Sequence, residues 1–165
     1  MFVREDTSMN YSMKLDELGI KLSHSQALIF EHSVEDGVPS MYFIKCFLLS
    51  EEAHHLDNLE LARPGMSQLE IYASVKSRVH TRKGQLLPYL VMHFIGYFYR
   101  AAAYLTKYRS KELYEMIPVD LLVRNYQFLH SLAIEEAVRE VFEILDIHEF
   151  DAYERFKKIY NKYHS

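Results

Sequence analysis

Apolar positions in this chain recur every three or four residues over long stretches, and Gly and Pro interrupt them where a helix can start or stop. The first stretch, residues 25–36 (SQALIFEHSVED), ends at Gly37, which can adopt the left-handed conformation a helix C-terminus often needs. Pro39 opens a second helix, PSMYFIKCFLLSEEAHHL, that runs to Leu56, because a first-turn proline gives up no intrahelical hydrogen bond. Residues 62–66 (ARPGM) read as a turn. Ser67 and Glu70 then form a capping-box pattern, in which each side chain satisfies a free backbone donor, and the helix they start continues to Lys83 with Gly84 as its stop.

Pro88 begins a central helix in which Leu90, Phe94, Tyr97, Ala101, Tyr104 and Tyr108 share one broad face. A second long helix starts near Pro118 and continues to about Asp146. It places Leu122, Tyr126, Leu129, Ala133, Ala137, Val141 and Ile144 on one side and leaves Arg124, Arg139 and Glu143 to water. A short final helix, residues 151–162, carries Tyr153, Phe156 and Tyr160 along one stripe. The expected architecture is a single all-α domain of six to eight helices over residues 11–165, preceded by a loose stretch over residues 1–10.

Composition supports a packed domain. The 165 residues are 49% hydrophobic and 25% charged, with thirteen Tyr, ten Phe and no Trp. Such an aromatic excess either fills a core or lines a wide apolar cavity. A net charge of −4 argues against nucleic acid, which requires a basic face. The longest apolar run, from Leu86 to Tyr99, contains His93 and is shorter than the roughly 20 residues a bilayer requires, so it reads as a buried helix and not as a span. The N-terminus MFVREDTSMN lacks the apolar region of a secretory signal, and one cysteine, Cys46, permits no internal disulfide. These features point to a cytoplasmic protein.

Candidate chemistry is sparse. His80 lies near the expected helix end, where it either contacts a ligand or hydrogen-bonds a terminal carbonyl. His93, inside an apolar helix, reaches either a ligand head group or a buried partner. Arg78, Arg82 and Lys83, with Arg100, are candidates for a small anion site, since grouped cations near a helix terminus can hold a carboxylate or halide; a solvated surface is the alternative. Glu51 with His54 and Glu52 with His55 each give the Glu-x-x-His spacing of carboxylate-bridged di-iron bundles, but no second helix of that pattern accompanies them. No zinc-protease or paired-cysteine motif occurs. Cys46, among large apolar residues in YFIKCFLL, is placed as a core residue rather than a nucleophile. No side-chain combination suggests an enzyme.

The segment His80-Thr81-Arg82-Lys83-Gly84, with Tyr89 beyond it, resembles the proximal-histidine segment of the globin-coupled sensor family, and FLHSLAIEEAVREVF is similar to that family's final helix. The resemblance implies a globin-like fold. Lys83 stands where haem-binding members carry an apolar residue, and the residue at the distal position is Phe30, with Tyr42 the nearest tyrosine. The chain is therefore most similar to the non-haem members, the stand-alone sporulation-inhibitory sensor domains of bacilli. That resemblance implies a fatty acid held in an apolar tunnel with a small anion nearby, no haem cofactor, and a sensor histidine kinase or its sensor domain as partner. The implied ligand contacts are His80, His93, Tyr89, Phe94, Tyr97, Phe43 and Phe47. A homodimer through the last two helices, using Leu121 and Phe128, is also implied. A haem gas sensor with His80 as axial ligand and a ferritin-like metal protein are the alternatives.

Overall fold

The structure, a computed structural model, describes residues 14–58, 67–81, 83–106 and 108–147. The described residues form an all-α single domain, consistent with the globin-like class, with nine helices and no strand among them. They are α1 (Glu17–Glu35), α2 (Ser40–Leu48), α3 (Glu51–Asp57), α4 (Gln68–Lys76), α5 (Tyr89–Thr106), α6 (Ser110–Met116), α7 (Val119–Arg124), α8 (Tyr126–Leu129) and α9 (Ile134–Ile144). Residues 1–10 and the expected helix over 151–162 lie outside the described residues.

α1 starts well before residue 25, because the Asp16 side chain accepts a hydrogen bond from the Gly19 N–H at 2.9 Å and caps the first turn. Its far end is as expected: Gly37 sits at φ 70° and closes the helix. The second expected helix is interrupted at Ser50. This residue takes an extended conformation and its hydroxyl accepts from the Ala53 N–H, so it ends α2 and caps α3, with Glu51 and Glu52 favourably placed in the new first turn.

The Ser67–Glu70 capping box forms, but α4 ends at Lys76 and does not reach Gly84. Residues 77–81 and 83–88 instead leave the helix, and residues 85–87 cross the start of α2. There the Ser40 N–H donates to the Gln85 carbonyl and the Leu87 N–H donates to Ser40 Oγ at 2.9 Å. Gly84 serves that crossing and not a helix end: a Cβ on it would lie 2.7 Å from Pro39 Cβ. The long helix expected from Pro118 divides at Asn125, whose side chain bonds back to the Leu121 carbonyl, and again between His130 and Ala133.

α5 is the axis of the domain, and α1 packs along it more extensively than any other pair of described helices. The approach is close because of Gly96. A Cβ there would stand 2.8 Å from Phe30 Cγ and 3.0 Å from the Gln26 carbonyl oxygen. Gln26 Nε2 donates to the Gly96 carbonyl across the same contact. Burial on α5 extends almost all round, through Met92, Ile95, Phe98, Tyr99 and Ala102, so the stripe expected from Leu90 is rotated and Leu90 itself is 66% exposed.

An ion pair is set into this core. Arg100, 1% exposed, donates from Nε to Gln26, from Nη1 to Asp57 at 2.7 Å, and from Nη2 to Ser110 Oγ and the Ala53 carbonyl. Asp57 also accepts from the Ser110 N–H and hydroxyl. Arg100, expected as part of a small anion site or on a solvated surface, is instead a buried tie between α1, α3, α5 and α6, with its donors matched to partners as burial requires.

Candidate functional site

An open cleft of about 740 Å³ lies between the turn after α1, one face of α4 and the segment that follows α4. Its volume falls within the range of small-molecule sites. Val38, Pro39 and Val79 supply apolar wall, while Asp36, Tyr72, Lys76 and His80 supply polar groups. Gly37 turns the chain sharply enough to bring Val38 and Pro39 to one side, and the α4 register places Tyr72 and Lys76 one turn apart on the other.

Asp36 joins the two sides. Tyr72 donates its hydroxyl to Asp36 Oδ2 at 2.8 Å and Lys76 Nζ reaches the same oxygen at 3.1 Å. The Tyr72 and Lys76 hydrogen bonds hold the Asp36 carboxyl below its ordinary range. Burial, reinforced by the bond to Asp36, pushes the Tyr72 phenol well up. The Lys76 ammonium also lies 5.9 Å from the centre of the Tyr72 ring. A ligand with an anionic head would compete with Asp36 for both donors. His80 stands exposed at the cleft.

Of the residues expected to bind ligand, His80 alone lines this cleft. Phe43 and Phe47 are fully buried and pack on Phe30, with ring centres 5.6 and 5.1 Å away, so the aromatic side chains expected to line a channel fill the interior instead. Phe94 packs on Phe98 and Tyr126. His93 and Tyr89 do come together, but on Glu31 of α1, which both contact by hydrogen bond. Tyr97 stacks against His93. Burial raises the Glu31 carboxyl and the Tyr89 and His93 bonds more than offset it, leaving it below the ordinary value; the same bond, with some burial, pushes Tyr89 up to about 12.

Of the expected anion trio, Arg78 bonds Glu52 at 2.6 Å and so fastens the segment after α4 to α3, Lys83 is exposed with its N–H and carbonyl bonded to the Thr81 hydroxyl, and Arg82 lies outside the described residues. Among the described residues, Lys76 supplies the ammonium at the cleft. Sequence reasoning passed over it, although a basic residue one turn after Tyr72 in the last turn of a capped helix was a usable signal. Leu121, expected at a dimer face, is buried at 8% exposure, while Phe128 is exposed.

The residues around His80 do not fit haem. An axial histidine requires apolar faces to grip the porphyrin, whereas His80 is exposed in a non-helical segment beside Asp36, Tyr72 and Lys76, and Phe43, Phe47 and Phe94 are packed on other aromatic rings away from it. The Glu-x-x-His pairs are also committed: Glu52 to Arg78 and Ser74, and His54 to Arg109 and Asn58. Among the described residues no group of three or more His, Cys, Asp or Glu is placed to hold a metal ion. No helix among them is long and apolar enough to cross a membrane.

No family model, no curated protein and no solved structure matches this chain.

Proposed function

We propose that this chain is a sensing and regulatory domain that binds a small amphipathic ligand, of the fatty-acid class, in the cleft beside His80 and acts on a sensor histidine kinase by competing for its ligand or pairing with its sensor domain. The cleft carries the reading. It presents an apolar side at Val38, Pro39 and Val79, and a donor pair, Tyr72 and Lys76, that a carboxylate can take over from Asp36. An amphipathic anion needs both features at once. The resemblance of residues 80–84 to the sensor family supports the kind of partner. Regulation by occupancy requires binding and release and no bond making, so the domain is read as a binding module and not as an enzyme.

The test is titration of the purified chain with a series of saturated fatty acids by calorimetry, beside Lys76→Met and Val79→Asp variants. Binding should be about tenfold weaker in each variant, a change of roughly 1.4 kcal/mol. Absence of binding across the series, or variants indistinguishable from the parent, refutes the assignment.

A further inference from the structure

A second group of side chains, apart from the cleft, spans the α1–α5 contact. His93 on α5 is held through Nδ1 by Glu31, and Glu31 is held in turn by the Tyr89 hydroxyl. The His93 ring stacks on Tyr97 and meets His24 of α1 edge to face, with ring centres 6.4 Å apart and planes inclined at 67°. On α1, His24 precedes Glu31 by two helical turns on the same face, ~10.5 Å along the axis. His93 touches both, so it lies between them. The two nitrogens of an imidazole point to opposite sides of the ring, and with Nδ1 on Glu31 the Nε2 atom is directed away from the carboxylate. Among the described residues Nε2 makes no hydrogen bond, and His93 is 34% exposed.

We propose that His24 and His93 form an open seat for a divalent transition-metal ion of the zinc class, with Glu31 as a positioning residue. Imidazole nitrogens suit such ions, and a carboxylate on the remote ring nitrogen fixes the tautomer and raises the basicity of the ligating one. Two rings that share an ion at about 2.0–2.1 Å from each nitrogen have centres about 5–6.4 Å apart, depending on the angle at the metal. The observed separation is at the open end of that range. His24, exposed and without a hydrogen bond among the described residues, closes it by a rotamer change. The platform beneath is rigid, since α1 and α5 are locked at Gly96 and by the Gln26 side chain. Solvent or a further group completes the coordination shell. An ion bridging the two helices adds an input to the domain that is independent of cleft occupancy.

The test uses the full chain without an affinity tag, titrated with zinc ion alone at neutral pH by calorimetry. One equivalent should bind in the micromolar range. His24→Gln, which leaves the His93–Glu31–Tyr89 group intact, should weaken binding at least about tenfold, and so should His93→Gln. Glu31→Gln should weaken it by a smaller factor with stoichiometry preserved, the mark of positioning rather than ligation. His80→Ala and His54→Ala should bind as the parent does. No zinc binding, an unaffected His24→Gln, or an equal loss in His80→Ala overturns the proposal.

Discussion

Removing the Arg100 guanidinium while retaining most of its bulk, by Arg100→Met, isolates the contribution of the buried ion pair. In the parent, Arg100 is 1% exposed and bonds Gln26 at 2.9 Å, Asp57 at 2.7 Å and Ser110 at 2.9 Å. The substitution leaves the Asp57 carboxylate, itself 8% exposed, with Ser110 as its remaining partner, and strands the Gln26 side-chain oxygen. Breaking one side of a buried pair costs about 3–5 kcal/mol, and a stranded neutral acceptor about 1–3 kcal/mol, with overlap between the two. A loss of about 4 kcal/mol is expected, a large share of the roughly 5–15 kcal/mol that holds a domain together. Urea denaturation followed by far-ultraviolet circular dichroism measures it. Adding Asp57→Asn should recover part of the loss, since a neutral carboxamide is less costly to bury and still accepts from Ser110. The double-mutant cycle should therefore show a coupling well above about 0.5 kcal/mol. If Arg100→Met lies within about 1 kcal/mol of the parent, or the two changes simply add, the view of this network as the tie between four helices is wrong.

Gly96→Ala should destabilise despite the ~1 kcal/mol that helix propensity favours alanine, because the added carbon meets Phe30, Gln26 and Ala27 at 2.8–3.1 Å and overpacking costs about 1–3 kcal/mol; a raised melting temperature would contradict the close α1–α5 contact. Stability should also fall in acid. Asp36, Glu31 and Glu52 are held below their ordinary values of 3.8, 4.5 and 4.5, so each contributes stability above those values and loses it as the pH drops through its lowered folded pKa. Melting temperatures recorded from about pH 7 to about pH 3 should be level and then decline below about pH 4.5, with a shallower decline in Tyr72→Phe. A flat profile, or equal slopes in the two proteins, would refute the assigned role of the Tyr72–Asp36 bond.

The local signals in the chain determined a good deal. Period, proline and cap placed α5 after Pro88, the capping box of α4 and the Gly37 terminus of α1, since each depends on residues within one turn of one another. Breaks inside apolar runs were harder to read. Ser50 and Asn125 interrupt helices by bonding their own backbone, and the same residues would have been tolerated had those bonds pointed to solvent. The site shows the same division. His80 was legible as a residue near a turn, but the partners that give the cleft its chemistry were not: Asp36 meets Tyr72 and Lys76 across thirty-six and forty positions of chain. Glu31 joins His93 over sixty-two positions, and Arg100 finds Gln26 over seventy-four. Periodicity names the face a side chain occupies on its own helix, whereas the helix that covers that face, and so whether a Phe fills the core or a His meets a carboxylate, is decided only when the elements pack.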